Sequence, residues 1–328
     1  MLAPDSSVPR RDALLRPETM AGVLSQRLHG GVPVEACERH YVKYRVGESL
    51  RVVYRYRVGD ATHFAAARSG RDDGIPAPEV DAALYPFPHD RKLPALTRLP
   101  GELVAWAAEQ SATSACDDAF AKVQRGDGER HGLHALADQD AVRVPRILHD
   151  DGDVLTIEAL HGTRPTMHAF GTTLAALHEH KGPGALSFAR LDLARLSTAA
   201  DVIARARPDA GDAAKRLVER LGAPPEQPVV TIHGDANLGN ALQLDDGTVA
   251  LLDLEHLSEG PAAADVGQVV ANLLVGRQDV RAFLDGYGPI DREALRWYTL
   301  ASLLARVALP AISRYRPELI VRLPRLLG

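Results

Sequence analysis

The stretch that decides the fold is His233-Gly234-Asp235-Ala236-Asn237-Leu238-Gly239-Asn240. It follows Pro228–Ile232, a short apolar run rich in β-branched residues that reads as a strand. Beyond it, the apolar runs Ala241–Leu244 and Thr248–Leu254 flank Asp245-Asp246-Gly247, which is a hairpin signal. Strands paired across a short turn have adjacent ends, so Asp253 is expected to return beside Asn240. Asp235, Asn240, Asp253 and Glu255 then gather three carboxylates and an amide on one rigid ribbon. Hard oxygen donors at that spacing suit Mg²⁺, which takes one or two protein carboxylates plus substrate phosphates. A neighbouring carboxylate that holds no metal can accept a proton from a hydroxyl.

Outward from this ribbon the chain is helical on both sides. Thr166–His180, Asp192–Arg207 and Ala213–Leu221 precede it; Ala262–Val275, Val280–Tyr287 and Arg292–Leu309 follow it. The first half reads differently. After a polar, helical segment 1–35, the strand-like runs His40–Val46 and Leu50–Val58 flank Gly47-Glu48-Ser49, and Gly59-Asp60 leads into Thr62–Arg68. Residues 69–101, with six prolines from Pro76 to Pro100, read as a connector with local turns. The same grammar then returns in Leu103–Glu109, Ala112–Cys116 and Ala119–Gln124. It reads either as a degenerate repeat of a three-strand unit or as two unrelated meanders. A short helix, Gly128–Ala137, with Asp127 as N-cap, and the strands Arg143–Leu148 and Val154–Glu158 complete this half.

Composition narrows the function. With 328 residues, 45% hydrophobic and 25% charged, the chain is ordinary globular protein of two or three folding units, which excludes disorder and a disulfide scaffold. A net charge of −5 gives little support to nucleic-acid binding. Neither a membrane-spanning run nor a cleavable leader is read from the sequence, which points to a cytoplasmic protein with reduced thiols at Cys37 and Cys116. Lysine is scarce, 5 residues against 33 arginines, so a single lysine on an apolar strand carries information. Lys122, in Phe120-Ala121-Lys122-Val123, is such a residue; Lys43 alternates with charges and reads as a solvated face.

His233-Gly234-Asp235 with Asn240, then Leu252-Asp253-Leu254-Glu255, then Gly260-Pro261 and Asp265-Val266-Gly267, together resemble the aminoglycoside phosphotransferase and choline kinase-like family, which shares the protein-kinase architecture. The resemblance covers roughly 101–290 well and 1–100 poorly. It implies an α+β, bilobal protein-kinase-like fold: a small β-rich N-lobe (101–160) for the nucleotide, a mostly α C-lobe (161–328), and an N-terminal extension (1–100) holding a β meander that would be a degenerate N-lobe-like repeat. It implies ATP and Mg²⁺, and γ-phosphoryl transfer to a hydroxyl of a small polar molecule such as an aminoglycoside, sugar, amino sugar or amino alcohol, in a monomer or homodimer with no nucleic-acid or membrane partner.

Carried over by position, Asp235 would be the base, Asn240 and Asp253 would hold Mg²⁺, His233 would brace the loop and Asp265 would hold its backbone. Glu255 would meet either the metal or a substrate amine. Lys122 would clamp the phosphates, with Glu129 either as its partner or as a solvent-facing residue at the helix start, Glu158 and Leu160 would form the hinge against adenine, and Ser111 would serve a phosphate loop that here lacks glycine. Leu174, Leu177 and His178 resemble a family helix, yet core packing explains them fully. Two other readings remain: a kinase-like module that binds nucleotide silently, and a metallohydrolase built on His233, Asp235, Asp253, Glu255 and His256.

Overall fold

The structure is a computed structural model and describes residues 1–71, 73–139, 142–179 and 191–328. The chain divides into two compact units. The first comprises Met1–Arg125, Asp150–Thr156 and Ala311–Ile320; the second comprises Gly126–His149, Ile157–Pro310 and Val321–Gly328.

The first unit opens with helices α1 (Arg11–Leu14) and α2 (Pro17–Leu28). Pro17 suits the first helical position, where its missing N–H would have had no partner. Strands β1 (Glu35–Arg45), β2 (Ser49–Val58), β3 (Ala61–Ser69), β4 (Ile75–Ala77) and β5 (Ala82–Pro86) form a sheet in the order β1-β2-β3-β5-β4. In β2, Leu50, Val52, Tyr54 and Tyr56 are buried while Arg55 and Arg57 are exposed, the period of two that a pleated strand imposes. Val53, on the opposite face, is buried as well.

β5 corrects the reading of 69–101 as a connector. It pairs with β3 from Ser69↔Ala82 to Ala65↔Pro86 and so extends the sheet. The prolines that obscured it sit where a ladder tolerates them: Pro76 on the edge strand β4, Pro86 as the last residue of β5.

A second sheet is built from β6 (Glu102–Ala107), β7 (Ser111–Cys116) and β8 (Ala119–Gln124), with β9 (Ile147–Asp150) and β10 (Leu155–Glu158), in the order β6-β7-β8-β10-β9. Both sheets therefore run first-second-third-fifth-fourth. They share one buried cluster, in which Val53, Phe64 and Ala66 of the first sheet meet Trp106, Ala112, Ala121 and Val123 of the second.

The β6–β7 turn carries the electrostatic centre of this unit. Glu109 there has φ 61, the left-handed conformation that glycine usually supplies. Its side chain is 8% exposed and takes four cations: Arg51 at 2.9 Å, Lys92 at 3.3 Å, Arg91 at 3.3 Å, and Arg68. Its N–H donates to Asp90 Oδ2 at 2.6 Å, and the same oxygen accepts Trp106 Nε1 at 3.2 Å. Burial, then the guanidiniums of Arg51, Arg71 and Arg91, draw Arg68 down to about 10, still charged at neutral pH.

The second unit begins with α3 (Gly128–Leu136). Asp127 precedes it but makes no cap; its carboxylate goes to Arg130, one turn on, in place of the expected N-cap bond. Next come α4 (Met167–Glu179), α5 (Leu193–Ala206) and α6 (Pro208–Leu221), which starts earlier than the apolar pattern suggests because proline is accepted at its first position. His180, at the end of the run read as α4, lies outside the described residues. Two short β pairs follow: β11 (Val229–Ile232) with β14 (Ser258–Pro261), and β12 (Ala241–Gln243) with β13 (Val249–Leu251). Helices α7 (Ala262–Val275), α8 (Arg281–Tyr287) and α9 (Arg292–Ser302) are succeeded by a π-helical turn at Leu303–Ala308 and by α10 (Leu309–Ser313). Among the described residues no helix is long and apolar enough to cross a membrane. Cys37 and Cys116 form no disulfide.

Replacing Glu109 with glutamine removes the negative charge that two half-buried cations, Arg51 and Arg68, share with the more exposed Arg91 and Lys92. Breaking a buried ion pair from one side costs about 3–5 kcal/mol. Partial exposure of Arg91 and Lys92 trims this. Glu109→Gln is expected to lower stability by about 3 kcal/mol, read as a drop in the urea midpoint.

Candidate active site

The site in the second unit starts from the β11–β14 pair. Its register, Val229↔Pro261 to Ile232↔Ser258, sets the loop that follows Ile232 next to the backbone that precedes Ser258. Gly234 has φ 76, and a Cβ there would collide with the carbonyl of His256. Only glycine allows both the left-handed turn and this approach.

Asp265, in the first turn of α7 and 1% exposed, holds the loop. Its Oδ2 accepts the His233 N–H at 2.6 Å and its Oδ1 accepts the Gly234 N–H at 2.9 Å. His178 of α4 adds Nε2 to Oδ2 at 3.2 Å, and its Nδ1 is 2.9 Å from the Tyr287 hydroxyl of α8. His178 is thus a hydrogen-bonding partner as well as a core residue, a role that packing alone did not require. Burial opposes ionisation of Asp265, but the His178 bond, the imidazoles of His178 and His233, and the His233 N–H outweigh it and lower its pKa. Burial, then the Asp265 and Glu179 charges, push the Tyr287 hydroxyl up to about 12.

His233 has both ring nitrogens committed. Nε2 donates to the Leu252 carbonyl at 3.0 Å, and Nδ1 accepts the Asp235 N–H at 3.4 Å. Asp235 is half-buried, and its Oδ1 accepts Gln268 Nε2 at 2.7 Å. Its main-chain oxygen accepts Asn237 Nδ2 at 2.9 Å and Asn240 Nδ2 at 3.1 Å. Gln268 was not singled out by sequence reading. The available signal was its place three residues after Asp265, on the same helix face, as a buried amide among apolar neighbours.

The β12–β13 register, Ala241↔Leu251, is extended by Leu252 N–H to the Asn240 carbonyl at 2.9 Å, so Asn240 and Asp253 flank one end of the hairpin. Asp253 is exposed with φ 57, a strained backbone for a non-glycine residue. Asn240 uses Nδ2 on the loop, which leaves Oδ1 as an acceptor. An amide oxygen and an exposed carboxylate at neighbouring positions fit the donor set of a hard divalent cation. Glu255 is exposed, in the short turn Leu254–His256.

Helix α3 packs on this turn with almost no gap. A Cβ on Gly132 would lie 2.6 Å from the Leu254 carbonyl oxygen, and one on Gly128 would collide with the Glu255 carbonyl. Glu129, between them, is 3% exposed. Glu158 binds Arg143 and Arg146, and although burial works the other way these guanidiniums lower its pKa; Leu160 follows it, half-buried. Ser111 and Lys122 belong to the first unit, Ser111 opening β7 and Lys122 paired with Thr113 in β8. Lys43 is half-buried in β1 rather than on a solvated face, and burial, then nearby arginines, lower its pKa.

Among the described residues no cluster of three His, Cys, Asp or Glu could hold a metal. With both His233 nitrogens taken, the five residues of the metallohydrolase reading do not form such a centre.

The fold is that of small-molecule kinases. Macrolide 2'-phosphotransferase type I superposes with a TM-score of 0.50 at 15% identity, over 70% of this chain and 92% of that one. A choline/ethanolamine kinase family protein from Mesorhizobium loti gives 0.47 at 18% identity, over 71% and 94%. Choline kinase LicA from Streptococcus pneumoniae gives 0.46 at 14%, over 68% and 92%. No curated protein sequence matches the chain. Residues 116–298 match the model of the phosphotransferase enzyme family (APH), and the chain belongs to that family. It is accordingly a small-molecule phosphotransferase with an α+β fold, β-sheets in its N-terminal part and helices in its C-terminal part.

Asp265→Asn replaces a charged acceptor of two buried N–H groups by an amide that can satisfy only one of them. Each unmet buried donor costs about 1–3 kcal/mol. The folded pKa of Asp265 lies below its unfolded value, so its contribution is present above about pH 4 and lost as pH falls through the folded value. The variant is expected to be about 2–4 kcal/mol less stable at pH 7 and to lose less of its remaining stability on acidification, measured by urea unfolding from pH 7 to 3.

Proposed function

We propose that the chain transfers the γ-phosphoryl group of ATP to a hydroxyl of a small polar molecule. The observation that carries this reading is the hydrogen-bonded carboxylate of Asp235, fixed by Gln268 at 2.7 Å, on the same loop as Asn240 and one hairpin away from Asp253. Asp235 acts as the base. The acceptor oxygen attacks the γ-phosphorus, the bond from that phosphorus to the β–γ bridging oxygen breaks, ADP leaves, and the hydroxyl proton passes to the Asp235 carboxylate.

Gln268 directs one oxygen of Asp235 and leaves the other for the acceptor. Asp265 and His233 keep the loop backbone fixed, so that the carboxylate does not reorganise during transfer. Asn240 Oδ1 and the Asp253 carboxylate would hold Mg²⁺, which supplies charge neutralisation at the phosphates. Lys122 is assigned to the phosphates, Ser111 to the phosphate loop, and the backbone from Glu158 to Leu160 to the adenine. Because Glu158 is engaged by Arg143 and Arg146, its side chain positions that backbone rather than meeting the base. Glu129 acts in α3, and Glu255, exposed beyond Asp253, faces solvent where a substrate group or second metal contact can reach it.

Asp235→Asn is expected to lower turnover by ~10²–10⁴ while ATP affinity stays within a few-fold. Steady-state ADP release with the best acceptor, beside calorimetric ATP binding, checks this. Unchanged turnover would remove Asp235 as the base.

A further inference from the structure

A cleft of about 200 Å³ opens beside the Asp235 loop, entirely within the second unit. One wall is Gly234 and Gln268, the residue before Asp235 and the residue that holds its side chain. The opposite wall comes from α5 and from the π-helical turn, and it carries Arg195 and Arg306. The third charged residue on the lining is Asp265, whose two oxygens already accept three hydrogen bonds and which is 1% exposed. Among the described residues that line the cleft, Arg306 is therefore the charge open to a ligand, and the Asp235 carboxylate, next to Gly234 but not on the lining, is left for the acceptor hydroxyl.

Arg306 is exposed and forms no ion pair with any described residue. Its position has a backbone cause. Pro310 lies four residues on; it lacks the N–H that the Arg306 carbonyl would accept in an α-helix, and its ring crowds that carbonyl. The helix widens into the π turn Leu303–Ala308 just before it. Single π turns inside α-helices recur at functional sites, and this one sets a guanidinium on the cleft wall. The volume adds a limit: it falls below the roughly 300–1,000 Å³ that takes drug-sized ligands, so a molecule of monosaccharide size or smaller fits best.

We infer that the phosphate acceptor is a small hydroxyl compound that bears an anionic group, a carboxylate or a phosphate, bound by Arg306 in this cleft. The inference rests on the phosphotransfer reading and narrows it, since a polycationic acceptor would meet like charge here. Arg306 is a substrate-binding residue.

The test uses the full chain with ATP and Mg²⁺ and matched acceptors: glycerol, glycerate and glycerol 3-phosphate; glucose, gluconate and glucose 6-phosphate; glucosamine and kanamycin as cations. An anionic member is expected to exceed its neutral counterpart by at least roughly tenfold in kcat/KM, and comparison of the carboxylate and phosphate members shows which group is bound. Arg306→Gln should raise KM for that member roughly 10- to 100-fold with kcat nearly unchanged, and leave a neutral acceptor unaffected. Preference for a neutral or cationic acceptor, or an anionic preference untouched by Arg306→Gln, overturns the inference. Calorimetric titration of the same anions without ATP gives a readout that needs no turnover. Binding that Arg306→Gln abolishes supports the site, and absence of binding at millimolar concentration overturns it. If binding follows Arg306 while Asp235→Asn leaves phosphate transfer intact, the cleft stands and the assignment of the base falls.

Discussion

One buried carboxylate organises the second unit. Asp265 takes the N–H groups of His233 and Gly234 and is itself met by His178. The backbone of a left-handed turn cannot satisfy its own donors, and here water cannot reach them, so the anion of α7 does so. The order of effects matters: burial alone would favour the protonated acid, and the imidazoles and N–H groups reverse this. Helix α4 thereby reaches the oxygens of α7 through His178, and α8 joins them at one remove through Tyr287 on the other nitrogen of that ring. Gln268 follows one turn after Asp265 and reaches Asp235; the Leu252 carbonyl reaches His233; Asn240 and Asp253 close the hairpin.

What the sequence displayed, it displayed through local grammar. His233-Gly234-Asp235 through Asn240 could be read because a strand, a glycine turn and a tight hairpin fix the relative positions of a dozen neighbouring residues. The helices of the second half were legible for the same reason; α7 was bounded by its apolar pattern at Ala262 and Val275. Gln268, and the hydrogen-bonding role of His178, escaped because their partners lie 33 and 87 residues away, and no periodicity encodes such a meeting. β5 was hidden by proline punctuation, since its membership in the sheet is decided by β3 and not by its own residues. Asp127 had the right type for a cap, but a competing arginine one turn away took its carboxylate.

The glycine-free turn between β6 and β7 has a physical account. Glu109 adopts the backbone conformation that glycine would normally supply. The conformation costs about 1–2 kcal/mol for an L-residue. The acceptor that Glu109 offers to Arg51, Arg68, Arg91 and Lys92, in a nearly buried setting, offsets that cost. A turn that other sequences would soften with glycine is here stiffened by charge, and the stiffening draws on the first sheet through Arg51 and Arg68. The two sheets with the same strand order are therefore joined electrostatically as well as by their shared apolar cluster.

Gly128 and Gly132 leave no slack between α3 and the carbonyls that follow Asp253. A joint without slack conveys displacement and cannot absorb it. The helix thereby fixes the main chain just after Asp253, while His131 and His134 of the same helix face solvent.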